Sequence, residues 1–273
     1  MFLPTIYWQD GKRTKQFLEM LVEDLMTEYS ITQQSNKESG IEIGGNASKV
    51  MAKYQKGFGT GQQIEGHISK SDSALFKDLY TILEDKQMIQ TLIGFDEGIW
   101  DQLKSGEFVE LTGEFKQSPA ELVLSSMLDM VDQFKGYFET AATQEEIQNF
   151  EIASKMLNFK KVTMIIKPYT EVEDKYKFFT SLEGNNFVED RYDLEGEFTI
   201  LAKIKRIYKP HEKIDLVKLL PGKLRIGKKQ LMSFLPSMNA NEDLSFDVGE
   251  INEESFELKG PAIELTTIAI YQV

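Results

Sequence analysis

The stretch Gly196-Glu197-Phe198-Thr199-Ile200-Leu201-Ala202-Lys203-Ile204-Lys205-Arg206-Ile207-Tyr208 decides how the rest of the chain is read. Phe198, Ile200, Ala202 and Ile204 fall on one side of a period-two pleat, with Thr199, Lys203 and Lys205 on the other. That alternation predicts a long strand with one face on a core and one toward water. An echo stands upstream in Gly106-Glu107-Phe108-Val109-Glu110-Leu111-Thr112-Gly113-Glu114-Phe115, with the same Gly-Glu-Phe opening and a Leu three residues beyond it.

Working outward, Thr5 to Gln9 reads as a short strand with an Asp10-Gly11 turn behind it. From Thr14 to Tyr29, Phe17, Leu18, Leu21, Val22, Leu25 and Met26 recur at helical spacing. A second amphipathic helix is predicted over 72–85, with serines at its start to cap it. Residues 88–93 read as a strand and 94–105 as a polar linker holding Trp100. Ser118-Pro119-Ala120-Glu121 combines an N-cap Ser, a Pro at the first helical position and a Glu that reaches back. Further helices are predicted over 143–158 and over 228–235, the second stopped by Pro236. Strands are predicted over 162–166, 177–182, 256–258 and 263–271. The expected fold class is therefore α+β, with a helix-rich N-terminal half (1–140) and an antiparallel-strand-rich C-terminal half (141–273). The boundary falls at Glu139-Thr140-Ala141-Ala142, and the two halves are compatible with one compact unit.

At 273 residues, 41% hydrophobic and 27% charged, the chain has enough apolar surface for one large core or two smaller ones. It contains no cysteine, which excludes disulfides, thiolate metal sites and a cysteine nucleophile. The N-terminus shows no basic leader with a long apolar core, and runs such as 162–166 fall far short of the roughly 20 residues that cross a bilayer. A cytoplasmic location is expected. The net charge of −13 argues against generic binding to nucleic acid or an anionic membrane. The charge is uneven, however: residues 201–230 carry ten bases against Glu212 and Asp215, a net +8 that leaves −21 for the remainder. Lys203, Lys205, Arg206 and Lys209 open that segment. They read either as a solvated face pairing with acidic neighbours or as a docking patch for a phosphate or an acidic partner surface.

Residues that could carry chemistry are scattered. A polar stretch over 33–69 holds seven glycines, and Gly57, Gly59 and Gly61 within it invite a phosphate-loop reading. No Gly-Lys-Ser/Thr follows them, so a small-ligand or nucleotide-binding module built on that loop is the alternative function. His67 and His211 are the whole imidazole inventory and do not make the short-spaced cluster a zinc site wants. Acidic groups at Asp96-Glu97, Glu171-Val172-Glu173-Asp174 and Glu189-Asp190 are ordinary in so acidic a chain. Trp8 and Tyr7 read as core or intersheet residues, and Met127, Met130 and Met156 as core filler. The sequence nominates no catalytic residue, metal ligand or cofactor. The expected role is recognition, with a protein partner.

Two ends of the chain resemble an uncharacterised bacterial family. Its members open with Ile-Tyr-Trp/Leu-Asp, matched by Ile6-Tyr7-Trp8, with Gln9 displacing the acid to Asp10. They carry a glycine-rich insert after the first helix. They close on a strand like Gly260-Pro261-Ala262-Ile263 through Ile268-Ala269-Ile270-Tyr271. The resemblance implies one component of the Dodola anti-phage system, a sensor or adaptor working beside a ClpB-like AAA+ ATPase, and it brings no catalytic residue with it.

Overall fold

The structure is a computed structural model that describes residues 4–35, 71–94, 96–123, 161–169, 175–188, 194–219 and 252–273. The decisive stretch is the strand β6, Gly196–Tyr208, with the predicted limits. Phe198, Ile200, Ala202 and Ile204 all point into one core. Leu201, on the opposite face, is equally buried but in a second core. Both faces of β6 are largely covered from Phe198 to Ile204, while Glu197 before them and Lys205 and Arg206 after them reach water.

The partners of β6 explain this. The echo strand β3 (Phe108–Gln117) lies antiparallel to it, from Phe108 opposite Lys203 to Phe115 opposite Gly196. On its other side runs β9 (Ala262–Gln272), also antiparallel. β3 pairs next with β4 (Lys161–Pro168), β4 with β5 (Lys177–Glu183), and β5 runs parallel to β9. The circuit β3-β4-β5-β9-β6-β3 is a closed five-stranded barrel. Counted in chain order its strands run first-second-third-fifth-fourth, with the parallel contact between third and fifth. That is the arrangement of an OB-type Greek-key barrel. Closure removes the exposed edges these strands would otherwise present.

β3 and β9 are each too long for the barrel alone. The first half of β3 pairs in parallel with β2 (Ile89–Leu92), and the last part of β9 pairs antiparallel with β1 (Thr5–Gln9). A sheet ordered β2-β3-β6-β9-β1 therefore shares its three central strands with the barrel. Its outer face is covered by α1 (Gly11–Ser35) and α2 (Asp72–Asp85). Leu18 and Val22 of α1 and Leu75, Phe76, Leu79, Ile82 and Leu83 of α2 pack there on Phe108, Leu201, Ile268, Ala269 and Tyr271. The apolar stripe of α1 as far as Val22 and that of α2 are thus spent on the sheet.

The barrel interior is filled by side chains: Val109, Leu111, Phe115, Met164, Ile166, Phe178, Ile200 and Ile270 are all at most 1% exposed. Each end carries one of the two tryptophans. Trp8 closes one, its Nε1 donating to the Glu183 carbonyl at 2.9 Å. At the other, Trp100 stacks on Tyr176 with ring centroids 5.1 Å apart. Gly113 sits where β3 leaves β2 for β4. A Cβ there would stand 2.5 Å from the Lys167 carbonyl oxygen, so glycine lets the two backbones meet at the corner.

The expected division into a helix-rich first half and a strand-rich second half does not hold. Strands dominate the described residues, and the first half contributes β1, β2 and the barrel strand β3. Two strand contacts are parallel, β2 with β3 and β5 with β9. The α+β reading followed local periodicity, which registers the stripes of α1 and α2 but carries no information about which strands pair. The Asp10-Gly11 turn is instead the start of α1, with Asp10 Oδ1 accepting from the Arg13 amide at 2.9 Å. The polar linker over 94–105 contains a short helix, α3 (Glu97–Gln102), capped by Asp96. Ser118 caps as expected, its Oγ accepting from the Glu121 amide at 3.2 Å. The helices expected over 143–158 and 228–235 and the boundary at 139–142 lie outside the described residues.

Candidate functional site

Beyond the barrel core, β6 carries the first bases of the positive segment. A β-bulge falls between Ile204 and Arg206, so β9 passes from Leu265 to Glu264 while β6 advances two residues. In a regular strand Lys205 and Arg206 would face opposite ways; the bulge leaves both exposed. Glu264 holds the first, accepting from Lys205 Nζ at 2.5 Å, while its second oxygen accepts from the Tyr208 hydroxyl at 3.1 Å. Arg206 donates to Glu212 at 3.1 Å, and its guanidinium lies 4.3 Å from the Tyr208 ring centroid. Glu212 also accepts from the Lys209 amide at 2.6 Å. That amide, helped by Arg206, holds the Glu212 carboxyl below its usual range. Burial, then the Glu264 charge, pushes the Tyr208 hydroxyl up.

The structure therefore places Lys205, Arg206 and Lys209 at one end of β6, with Lys205 paired to Glu264, Arg206 paired to Glu212, and Lys209 tied to Glu212 through its backbone amide. Lys203 is in different surroundings. Its ammonium lies over the rings of Phe17 and Phe108, 5.3 Å and 5.1 Å from their centroids, at the edge of the helical layer. Further along, β7 (Lys213–Asp215) pairs with β8 (Glu257–Lys259), where Lys213 meets Glu257 at 3.0 Å, and Lys218 pairs with Asp215 at 3.7 Å. These are exposed pairs worth a few tenths to ~1 kcal/mol each, so they orient the bases more than they stabilise the fold.

Gly57, Gly59, Gly61 and His67 lie outside the described residues, as do the acidic groups at 171–174 and 189–190. His211 is exposed in the turn after β6. Of the Asp96-Glu97 pair, Asp96 caps α3 and Glu97 accepts from Lys175 at 2.6 Å. Among the described residues, no group of three or more histidines and carboxylates converges on a common point.

A polar cluster that the sequence reading passed over sits between the helices and the sheet. Glu110 of β3 accepts from the Tyr80 hydroxyl of α2 at 3.0 Å and from the Tyr271 hydroxyl of β9, while Thr91 of β2 lies 3.5 Å from its second oxygen. The signal available was a lone carboxylate in the outer-face register of Phe108 and Thr112. Burial, reinforced by the Glu110 charge, pushes both phenols well above their ordinary range. A raised phenol pKa means the folded state keeps its proton where the unfolded chain gives it up. The resulting stability is full below the unfolded value near ~10 and is lost as pH rises beyond it. Denaturant midpoints should accordingly fall above pH ~10, and Tyr80→Phe with Tyr271→Phe should flatten that fall.

The outer face of the barrel's second and third strands is where many OB-type barrels hold oligonucleotides or oligosaccharides. Here the outward-pointing Thr163 and Phe179 on β4 and β5 are at most 1% exposed, whereas Lys161 and Lys167 are exposed and Ile165, Lys177 and Ser181 half-buried, so only the centre of that face is covered. A family model described as a domain of unknown function matches residues 3–271. No curated protein and no solved structure matches the chain. Among the described residues no helix is long and apolar enough to cross a membrane.

Proposed function

The chain belongs to the DUF6414 family over residues 3–271, and from that premise we propose that it is a non-enzymatic recognition protein, a sensor or adaptor that docks on a protein partner. One observation carries this reading: the barrel is solid, filled by aliphatic and aromatic side chains and closed at each end by a tryptophan. A filled barrel holds no ligand, so what it offers is its outer surface. The exposed bases Lys205, Arg206 and Lys209 at the end of β6, the first two oriented by Glu264 and Glu212, suit an acidic protein surface. The likeness of its opening and closing strands to a Dodola component makes a ClpB-like AAA+ ATPase the proposed partner and anti-phage defence the proposed setting.

Mixing the purified chain with such an ATPase and measuring binding against salt tests both parts. Affinity should fall steeply as salt rises, and reversing Lys205, Arg206 and Lys209 to Glu should weaken it at least ~10-fold. Lys203 is left in place, because its contacts with Phe17 and Phe108 belong to the packing. Binding unchanged by the triple reversal overturns the surface; no binding by the wild-type chain overturns the partner.

A further inference from the structure

The two outer strands of the helix-backed sheet are finished differently. On β1, the Val188 amide donates to the Tyr7 carbonyl at 2.9 Å and Phe187 bridges to Trp8, so a following segment covers the edge. β2 pairs with β3 on one side, and among the described residues nothing pairs with its other edge. An open edge is usually guarded by charge. Here Gln87-Met88-Ile89-Gln90-Thr91-Leu92-Ile93-Gly94 carries none, and Ile93 is 80% exposed.

We propose that two copies of this chain pair edge to edge through β2, antiparallel across a two-fold axis at Thr91. Net charge favours this edge over the rest of the surface. Two copies each carrying −13 repel one another in general, and the uncharged run over 87–94 is a place where their backbones can meet without opposing like charges. Register supports the axis. Ile89 packs on the helical side, Thr91 faces Glu110 on that side, and Leu92 enters the barrel core. Antiparallel pairing sets residues of one face opposite each other. Centred on Thr91, it places Ile93 against the partner's Ile89 and Gln90 against the partner's Leu92. The exposed Ile93 is then covered by the other copy, and the contact closes on itself as a two-fold interface does. This interface is independent of the basic end of β6.

The absence of cysteine gives a direct test. Directly opposed residues of an antiparallel pair have Cα atoms about 4.5–5.5 Å apart, within disulfide range. Thr91→Cys should therefore link into a covalent dimer on mild oxidation, far faster than Asp101→Cys, an exposed thiol placed elsewhere. In sedimentation velocity the wild-type chain should run at about twice its 31.3 kDa mass. Ile93→Lys should run as a monomer with an unchanged circular dichroism spectrum. A wild-type monomer across the micromolar range overturns the proposal. So does an Ile93→Lys dimer, or a wild-type dimer in which Thr91→Cys links no faster than Asp101→Cys.

Discussion

Trp8→Ala is expected to cost about 3–5 kcal/mol of folding stability, read as a lowered denaturant midpoint with an unchanged slope. Trp8 is 1% exposed and belongs to the barrel core although its strand lies outside the barrel circuit. Its ring closes one end of the barrel, so truncation leaves a cavity that neighbouring strands are too constrained to fill. Removing the indole also takes the donor from the Glu183 carbonyl. Trp8→Phe separates the two effects: it restores most of the ring and should cost only about 1–2 kcal/mol, the share of the lost hydrogen bond and the smaller volume. Trp100 remains as the fluorescent reporter in both variants. A cost below ~1 kcal/mol for the alanine variant would mean that β1 does not seal the barrel.

The second large effect is expected at Glu110. Glu110→Ala removes the acceptor shared by Tyr80 and Tyr271, and so the tie that joins α2, β3 and β9 across the second core. Hydrogen bonds to an ionised group are worth about 1.5–3 kcal/mol each, and because Glu110 is half-buried and the two bonds share it as acceptor, a loss of ~2 kcal/mol is expected. Glu110→Gln keeps an acceptor without the charge and should lose about half as much. A double-mutant cycle with Tyr80→Phe should show coupling of at least ~1 kcal/mol; additive losses would show that the two groups act separately.

How far the sequence could be read follows from what each residue type reports. The stripe of α2 and the alternation of β6 returned those elements with their limits intact, because each buries a face whose period is visible locally. The Gly-Glu-Phe echo was legible as two strands, and these strands pair with each other. Yet their phenylalanines face opposite cores: Phe198 enters the barrel while Phe108 meets α1. What the echo marks is the entry to each strand, where Gly106 and Gly196 both take a positive φ that other residues resist. The barrel itself was not legible. Its closure depends on pairings such as Phe108 with Lys203 and Lys177 with Ala262, between residues far apart in the chain, which no local window records. At the basic end of β6 the bases were visible as a run of charge. The bulge that exposes Lys205 and Arg206 together was not, nor was the difference that sets Lys203 among aromatic rings. The Tyr80–Glu110–Tyr271 tie escaped notice because its members come from three elements and none is unusual alone.

β9 has a consequence for how the molecule is made. It is the stave between β5 and β6, and it is also the strand on which β1 lies. While a ribosome is still adding residues 262–272, β1 has no rail to lie on, β5 and β6 each keep a bare flank, and neither core is sealed. Assembly is therefore an all-at-once event, in which β9 locks together strands made well before it.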